Sequence, residues 1–457
     1  MKRVAIGLVV LALVAAGVIA ASVGAASSRP GASAAHKAET VTIWVGWSAG
    51  HELTEFKKVV AEYDQKHPEV NVKVVGGIVD DKIFAALRSG NVPDVVSSFM
   101  SSNVGIFCPS GGWVDLGPYL KKDHINVNMF PATSRYYTQY KGTRCALPLL
   151  VDSTGLYYNK TLFKKAGINR PPRTLSELAA DAKKLTVKNK DGSLKIVGFD
   201  PNVNFYMGGY GLGASGFQPL IGASYFDKDG KSSLASDPAW AKYLRWQKRL
   251  VDWYGYDKLV RWQAGAGDEF APSHPFQTGK LAMMLDGEWR VAFLKNEHPE
   301  LQYGTAPMPV ADGKPQLYGG GAVNGTIIGI PKGGKHRDAA WALVKYLTTN
   351  DHALAKFSNG IRNVPSTISS ARSPELIPDR HFQTFIKIFV NPHSQTTPIT
   401  PIGLDHQTTF TNFIVKWQAG KVKPQDLVGG LRQVDKQIDS KIKQAEKGGG
   451  GGGPNVP

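Results

Sequence analysis

Residues 46–50 read GWSAG, so Gly46, Ser48 and Gly50 meet the G-x-S-x-G spacing of a nucleophile elbow. The setting is suitable, with the apolar run VTIWV before it and the helical pattern HELTEFKKVVAEY after it. A serine held on such a turn attacks acyl carbons when a histidine and a carboxylate activate it. In hydrolases that work this way, the elbow follows a mid-sheet strand and an upstream loop supplies half of the oxyanion hole. Here only an apolar leader precedes the strand, and losing one oxyanion donor costs roughly 3–4 kcal/mol of transition-state stabilisation. No downstream Asp and His pair stands out as partners. The glycines are better read as a tight turn that brings backbone close to something else, and no catalytic residue is expected.

Other candidate chemistry is equally thin. Gly211, Gly213 and Gly216 satisfy G-x-G-x-x-G, but NFYMGGY precedes them and Phe217-Gln218-Pro219 follows, which does not read as a helix start. His51-Glu52 lacks a second histidine four residues on, so no metal or other cofactor is expected. A paired-carboxylate glycosidase leaves no fixed spacing in a sequence. Asp152, Asp268, Glu269, Asp286 and Glu288 keep that alternative open.

The elements that must position these residues follow from composition and pattern. At 457 residues the chain is long for one core. Its 42% apolar content and its ten Trp, 19 Phe and 16 Tyr describe a globular protein. The net charge of +17 is scattered without a long basic run, so no nucleic-acid partner is expected, although an anionic ligand or a negatively charged envelope stays possible. Met1-Lys2-Arg3, the apolar stretch 4–26 and the polar linker 27–39 resemble an export signal, or an anchor if uncut. Either route places the rest outside the cytoplasm, periplasmic or extracellular. No cysteine precedes Cys108, which argues against a lipoprotein. Cys108 and Cys145 are then expected to form one disulfide.

From residue 40 onward, apolar runs alternate with amphipathic helices. Val41–Val45 reads as a strand, Leu53, Phe56, Val59, Val60 and Tyr63 share a helical face, and Val70, Val72 and Val74 share one side of a second strand. DKIFAALRSG is a short helix ended by Gly90, and VPDVVSSF is a third strand. This order marks a doubly wound α/β layer. Further on, Thr174 and Glu177 form a capping box. Trp240, Tyr243, Leu244, Gln247, Leu250 and Val251 follow the helical period, so most of those rings belong to a core. KLAMMLDGEW reads as a strand with a turn at Asp286-Gly287, and residues 447–457 as a flexible Gly-rich tail.

Four separated segments carry a resemblance: GNVPDVV; LPLLVDSTGLYYNKTLFKKAGINRPPRTLSELAADAKKLT; FQTGKLAMMLDGEWRVAFLK; and YGTAPMPVADGKPQLYGGGAVNGTIIGIPKGGKHRDAAWALVKYL. In this order they resemble the extracellular solute-binding proteins of ABC importers, in the sugar-binding group that includes maltose-binding protein. The resemblance implies an α/β fold of two lobes joined by hinge strands, with a central ligand cleft. Lobe I would hold 40–151 and 320–364, and lobe II 155–318 and 366–446. The disulfide would then lie within lobe I. It also implies a carbohydrate ligand, a membrane permease as partner, and a monomer without enzymatic activity.

By motif position, the resemblance nominates Trp47 as a sugar platform and Ser48 as a hydroxyl, with Trp47 packed into lobe I as the alternative. Asp152 would accept from sugar hydroxyls, or else cap the hinge. Trp289 would stack, and Gly320 and Gly321 would offer backbone N–H groups. Tyr206 is nominated as a lobe II ring, with Phe205 as its rival. Ser98, Asp80 and Arg362 complete the set, and Asp94 reads as structural. The alternatives of another class are a secreted glycoside hydrolase and an envelope scaffold.

Overall fold

Alternation and helical period decide the first part of the chain, and the computed structural model follows them; it describes residues 38–48, 50–202, 214–267 and 269–448. The export segment, Tyr206 and nearly all of the Gly-rich tail lie outside the described residues. Strands β1 (Glu39–Trp44), β2 (Val70–Val75) and β3 (Val95–Ser98) pair in parallel with β1 central, and β4 (Leu147–Pro148) completes the side that leads onward. β1 buries Val41 and Ile43 completely while Thr40 stays exposed, the period-2 signature of a strand with one face on a core. The helix His51–Lys66 covers that face with Phe56, Val59, Val60 and Tyr63.

The second sheet is built on β5 (Leu150–Asn159), a ten-residue strand almost wholly buried. The hairpin partners β6 (Val187–Lys188) and β7 (Leu194–Phe199) lead to β8 (Leu281–Gly287), which runs antiparallel to β5 and parallel to β7. β9 (Tyr303–Ala306) and β10 (Val323–Asn324) pair along β5 as well. The chain returns to the first sheet as β11 (Ile327–Gly329), wedged between β3 and β4, and β12 (Val364–Pro365) pairs with the start of β5. The result is an α/β fold of two sheets ordered β2-β1-β3-β11-β4 and β10-β5-β8-β7-β6. The chain passes between them after β4, after β10 and around β12.

Local signals act as their chemistry dictates. Thr174 caps the helix Leu175–Leu185 by accepting from the Glu177 N–H at 3.2 Å, and the Glu177 carboxylate accepts from the Arg173 N–H at 2.7 Å. Trp240, Tyr243, Leu244, Gln247, Leu250 and Val251 are all buried along the helix Pro238–Tyr254. Cys108 and Cys145 are disulfide-bonded with a Cα–Cα separation of 5.4 Å. They sit in a core cluster with Phe107, Trp113 and Tyr137 beside the first sheet.

Two expectations need correction. The strand KLAMMLDG does not turn at Asp286-Gly287, because the ladder continues through Gly155↔Asp286 and Thr154↔Gly287. Backbone pairing outweighs the turn preference of Asp-Gly there. The segment after Gly213 is helical after all: Ala214–Ile221 is an α-helix that includes Gly216 and Pro219.

Candidate functional site

The loop that leaves β1 is locked by close backbone contact. The Gly77 N–H donates to the Trp47 carbonyl at 2.8 Å, and the Ile78 N–H donates to that of Val45 at 3.0 Å. A Cβ on Gly46 would lie 2.4 Å from the Phe99 ring, and one on Gly76 2.6 Å from the Trp47 carbonyl oxygen. This explains the opening glycine of GWSAG: an aromatic ring occupies the space a side chain would need. The Ser48 hydroxyl is exposed and makes no hydrogen bond to a described residue, so no triad forms around it.

That turn borders a cavity of about 540 Å³ at the carboxyl end of β1. Gly46, Trp47, Ser48 and Phe99 line it from the first sheet, and Asp152, Trp289, Phe293, Glu269 and Phe270 from the second. Thr326 and Asn363 join from the segments that pass between the sheets. Ligands of open α/β sheets sit at such carboxyl ends. The His51 ring meets Phe293 edge-on at 5.2 Å, linking the helix after β1 to the helix after β8.

Trp47 unites both of its expected readings. It is only 5% exposed and packs on Phe56, Phe99 and Phe357 at 5.0–5.5 Å, yet it also borders the cavity. Trp289 is half-buried beside Gly287, where a Cβ would lie 2.1 Å from the indole; its Nε1 is buried without a described hydrogen-bond partner. Phe270 is 50% exposed at the rim.

The polar wall is acidic. Asp152 accepts from Asn363 Nδ2 at 3.0 Å, and the same amide donates to Glu288 at 3.0 Å. Glu288 is fully buried behind Asp152 and also accepts from the Ser153 N–H at 2.7 Å, so one carboxylate fastens β5 to the segment before β12. Burial first, and then the Glu52 charge, pushes Asp152 up to about 7 against the opposing Asn363 hydrogen bond. Burial raises Glu52 to about 7, opposed by Arg290. Burial and the neighbouring Asp286 charge carry Glu269 to about 8. Glu297 completes the wall and accepts from Gln277 Nε2 at 2.8 Å. Arg290, fully buried behind the wall, binds Asp286 at 2.6 Å, Gln277 at 2.7 Å and the Glu269 carbonyl at 2.6 Å.

Of the residues nominated from the sequence, Trp47, Ser48, Asp152 and Trp289 border this cavity. Ser98 and Asp80 lie elsewhere and hold each other: the Ser98 hydroxyl donates to Asp80 at 2.7 Å, and Asn103 donates to the second Asp80 oxygen at 3.0 Å. The Gly320 N–H donates to the Leu317 carbonyl and the Gly321 N–H to Ser394, each at 3.1 Å, so both groups are already satisfied within the protein. Arg362 ends the helix Asp351–Ile361 at φ 59°, is 3% exposed, and donates to the Ile377 carbonyl at 3.2 Å. Asp94 ties the Thr42 N–H (2.8 Å) to those of Lys335 and His336 (3.1 Å each), a structural role. Tyr206 and Asp268 lie outside the described residues. Sequence reasoning missed Glu52, Phe99, Phe270, Phe293, Glu297, Thr326 and Asn363 as cavity residues; only the position of Glu52, at the start of a helix next to GWSAG, carried any signal.

Two sheets linked by several crossing segments, with an aromatic and carboxylate cavity beside those crossings, define an α/β periplasmic-binding fold. Residues 49–353 match the family model described as bacterial extracellular solute-binding protein, and the chain belongs to that family. The maltooligosaccharide ABC transporter solute-binding lipoprotein of Streptococcus pneumoniae is 27% identical over 389 residues, 80% of this chain and 81% of that one. The maltotriose-binding protein of Pyrococcus abyssi is 23% identical over 342 residues, 74% of this chain and 68% of that one. Among solved structures, CpMnBP1 with mannobiose bound superposes with a TM-score of 0.76 at 27% identity, covering 87% of this chain and 100% of that one. MalE of Xanthomonas citri, at 21% identity and TM-score 0.69, shares the fold.

Proposed function

We propose that this chain is the solute receptor of an ABC importer, which holds a carbohydrate in the cavity between its two sheets and hands it to a membrane permease. The observation that carries this reading is the cavity itself: indole and phenyl faces for sugar C–H surfaces, beside carboxylates and an amide that hydrogen-bond hydroxyls. The family and its sugar-binding relatives support it. The lobes are taken as 40–151 with 320–364, and 155–318 with 366–446. Ligand that touches both lobes only when they close favours the closed form by those extra contacts. In this reading the protein acts exported and as a monomer, without turning its ligand over.

Equilibrium titration with mono- and oligosaccharides, neutral and charged, followed by chromatography of the recovered sugar, tests this. Saturable binding, with a Kd on the order of micromolar, about −8 kcal/mol, and intact sugar is the expected result. Released product would instead place the protein among glycosidases, and silence across the panel would remove the carbohydrate assignment.

A further inference from the structure

Resting on that reading, we propose that the cavity selects a saccharide bearing a protonated amine over its neutral counterpart. The chain carries a net charge of +17, yet its described cavity lining holds Glu52, Asp152, Glu269 and Glu297 with no Lys or Arg among them. Arg290, whose charge reaches Glu52 and Glu269, does not line the space, and its guanidinium binds Asp286, Gln277 and the Glu269 carbonyl. The one imidazole, His51, packs against Phe293, and burial lowers its pKa, which keeps it neutral. An anionic sugar, one of the expectations from overall charge, would therefore find carboxyl groups and no Lys or Arg among the described lining residues.

The carboxylates are also incompletely served. Asp152 has a single donor, Asn363, and Glu52 has no described hydrogen-bond partner. Oε1 of Glu269 is buried without one. Burial without such donors favours the protonated form of these groups, and an ammonium that reaches them reverses this, because hydrogen bonds between ionised partners are roughly twice as strong as neutral ones. A bare metal ion does not fit, since no three acidic or histidine side chains among the described residues converge closely enough to hold one. The carboxylates border a roomy space of about 540 Å³ with Trp47, Trp289 and Phe270 beside them. A sugar ring fills such a space, and an ammonium near an indole face gains further attraction.

The test is calorimetric titration of the full chain with matched triplets: glucose, mannose and galactose, and their β-1,4- and α-1,4-linked trimers, each in hydroxyl, amino and N-acetylamino form at C2. The expected result is one amino form binding at least tenfold more tightly than both of its neutral counterparts. Glu269→Gln and Glu52→Gln should each erase most of that preference while the variants keep the parent circular dichroism. If some member binds but no amino form exceeds both of its neutral counterparts tenfold, the inference falls and the sugar-receptor reading stands. If every member is silent, both fall together. An amino preference that survives in both folded variants would also overturn the assignment to these carboxylates.

Discussion

Trp289 and Asp152 both line the cavity, and the proposed function gives each of them a ligand contact. Removing the Trp289 indole strips an apolar face from the cavity without touching the buried ion pair of Arg290 and Asp286. Trp289→Ala is expected to weaken saccharide binding by about tenfold or more, since a buried ring face contributes roughly 1.5–3 kcal/mol; a titration checks it. A second residue-scale expectation concerns Asp200, buried and accepting from Gln263 Nε2 at 2.7 Å and the Asn202 N–H at 2.9 Å. Burial raises its pKa to about 7. The folded form therefore holds a proton that the unfolded chain has already released across the interval from the ordinary carboxylate range to about 7. Stability must fall as pH rises through that interval, and Glu52, Asp152 and Glu269 add to the same trend. Melting temperature should drop by several degrees from pH 5 to pH 8, and Asp200→Asn should flatten the slope. Motif position made Trp47, Ser48, Asp152 and Trp289 legible in the sequence. Glu269 was named only as a carboxylate of the glycosidase alternative, and Phe293, Glu297 and Asn363 were not legible, because they come to the same cavity as Trp47 only through long-range folding.

At the scale of elements, the turn after β1 and the disulfide can be tested separately. Gly46→Ala would drive a methyl into the Phe99 ring, since the ideal Cβ lies 2.4 Å away. Overpacking of this kind costs about 1–3 kcal/mol, and because the turn borders the cavity, affinity should fall with stability. Replacing Cys108 and Cys145 with serine reopens a loop of 37 residues, for which the chain-entropy account gives a loss of about 4 kcal/mol. Denaturant melts should show that loss with sugar affinity unchanged, since neither cysteine borders the cavity. Elements with a clear period were readable in advance: β1 through alternating Val41 and Ile43, and the helices His51–Lys66 and Pro238–Tyr254 through their apolar faces. The two-residue strands β4, β6, β10 and β12 were not, because so short a stretch has no period and exists only through its partner. Asp286-Gly287 misled for a related reason: local turn preference yielded to pairing with β5.

For the whole molecule, the α/β class was visible in the alternation of strand and helix, whereas the placing of β11 between β3 and β4 was not. No local pattern announces that residues 327–329 return to a sheet begun nearly 300 residues earlier. That return matters, because it places Thr326 at the cavity together with Asp152 and Asn363 from the other crossings. Glu288 binds two of those crossings through the Ser153 N–H and Asn363. Asp152 and the joint between the sheets thus belong to one hydrogen-bonded network, to which a ligand at Asp152 would couple under the proposed function. The most direct check on the account is intrinsic tryptophan fluorescence during titration with the saccharide that binds in the panel, in the parent chain and in Trp289→Ala. A saturable spectral shift in the parent, much reduced in a folded Trp289→Ala with the sugar recovered intact, is the result the account requires. An unchanged shift and unchanged affinity in that variant would mean that the sugar binds elsewhere, and would contradict it.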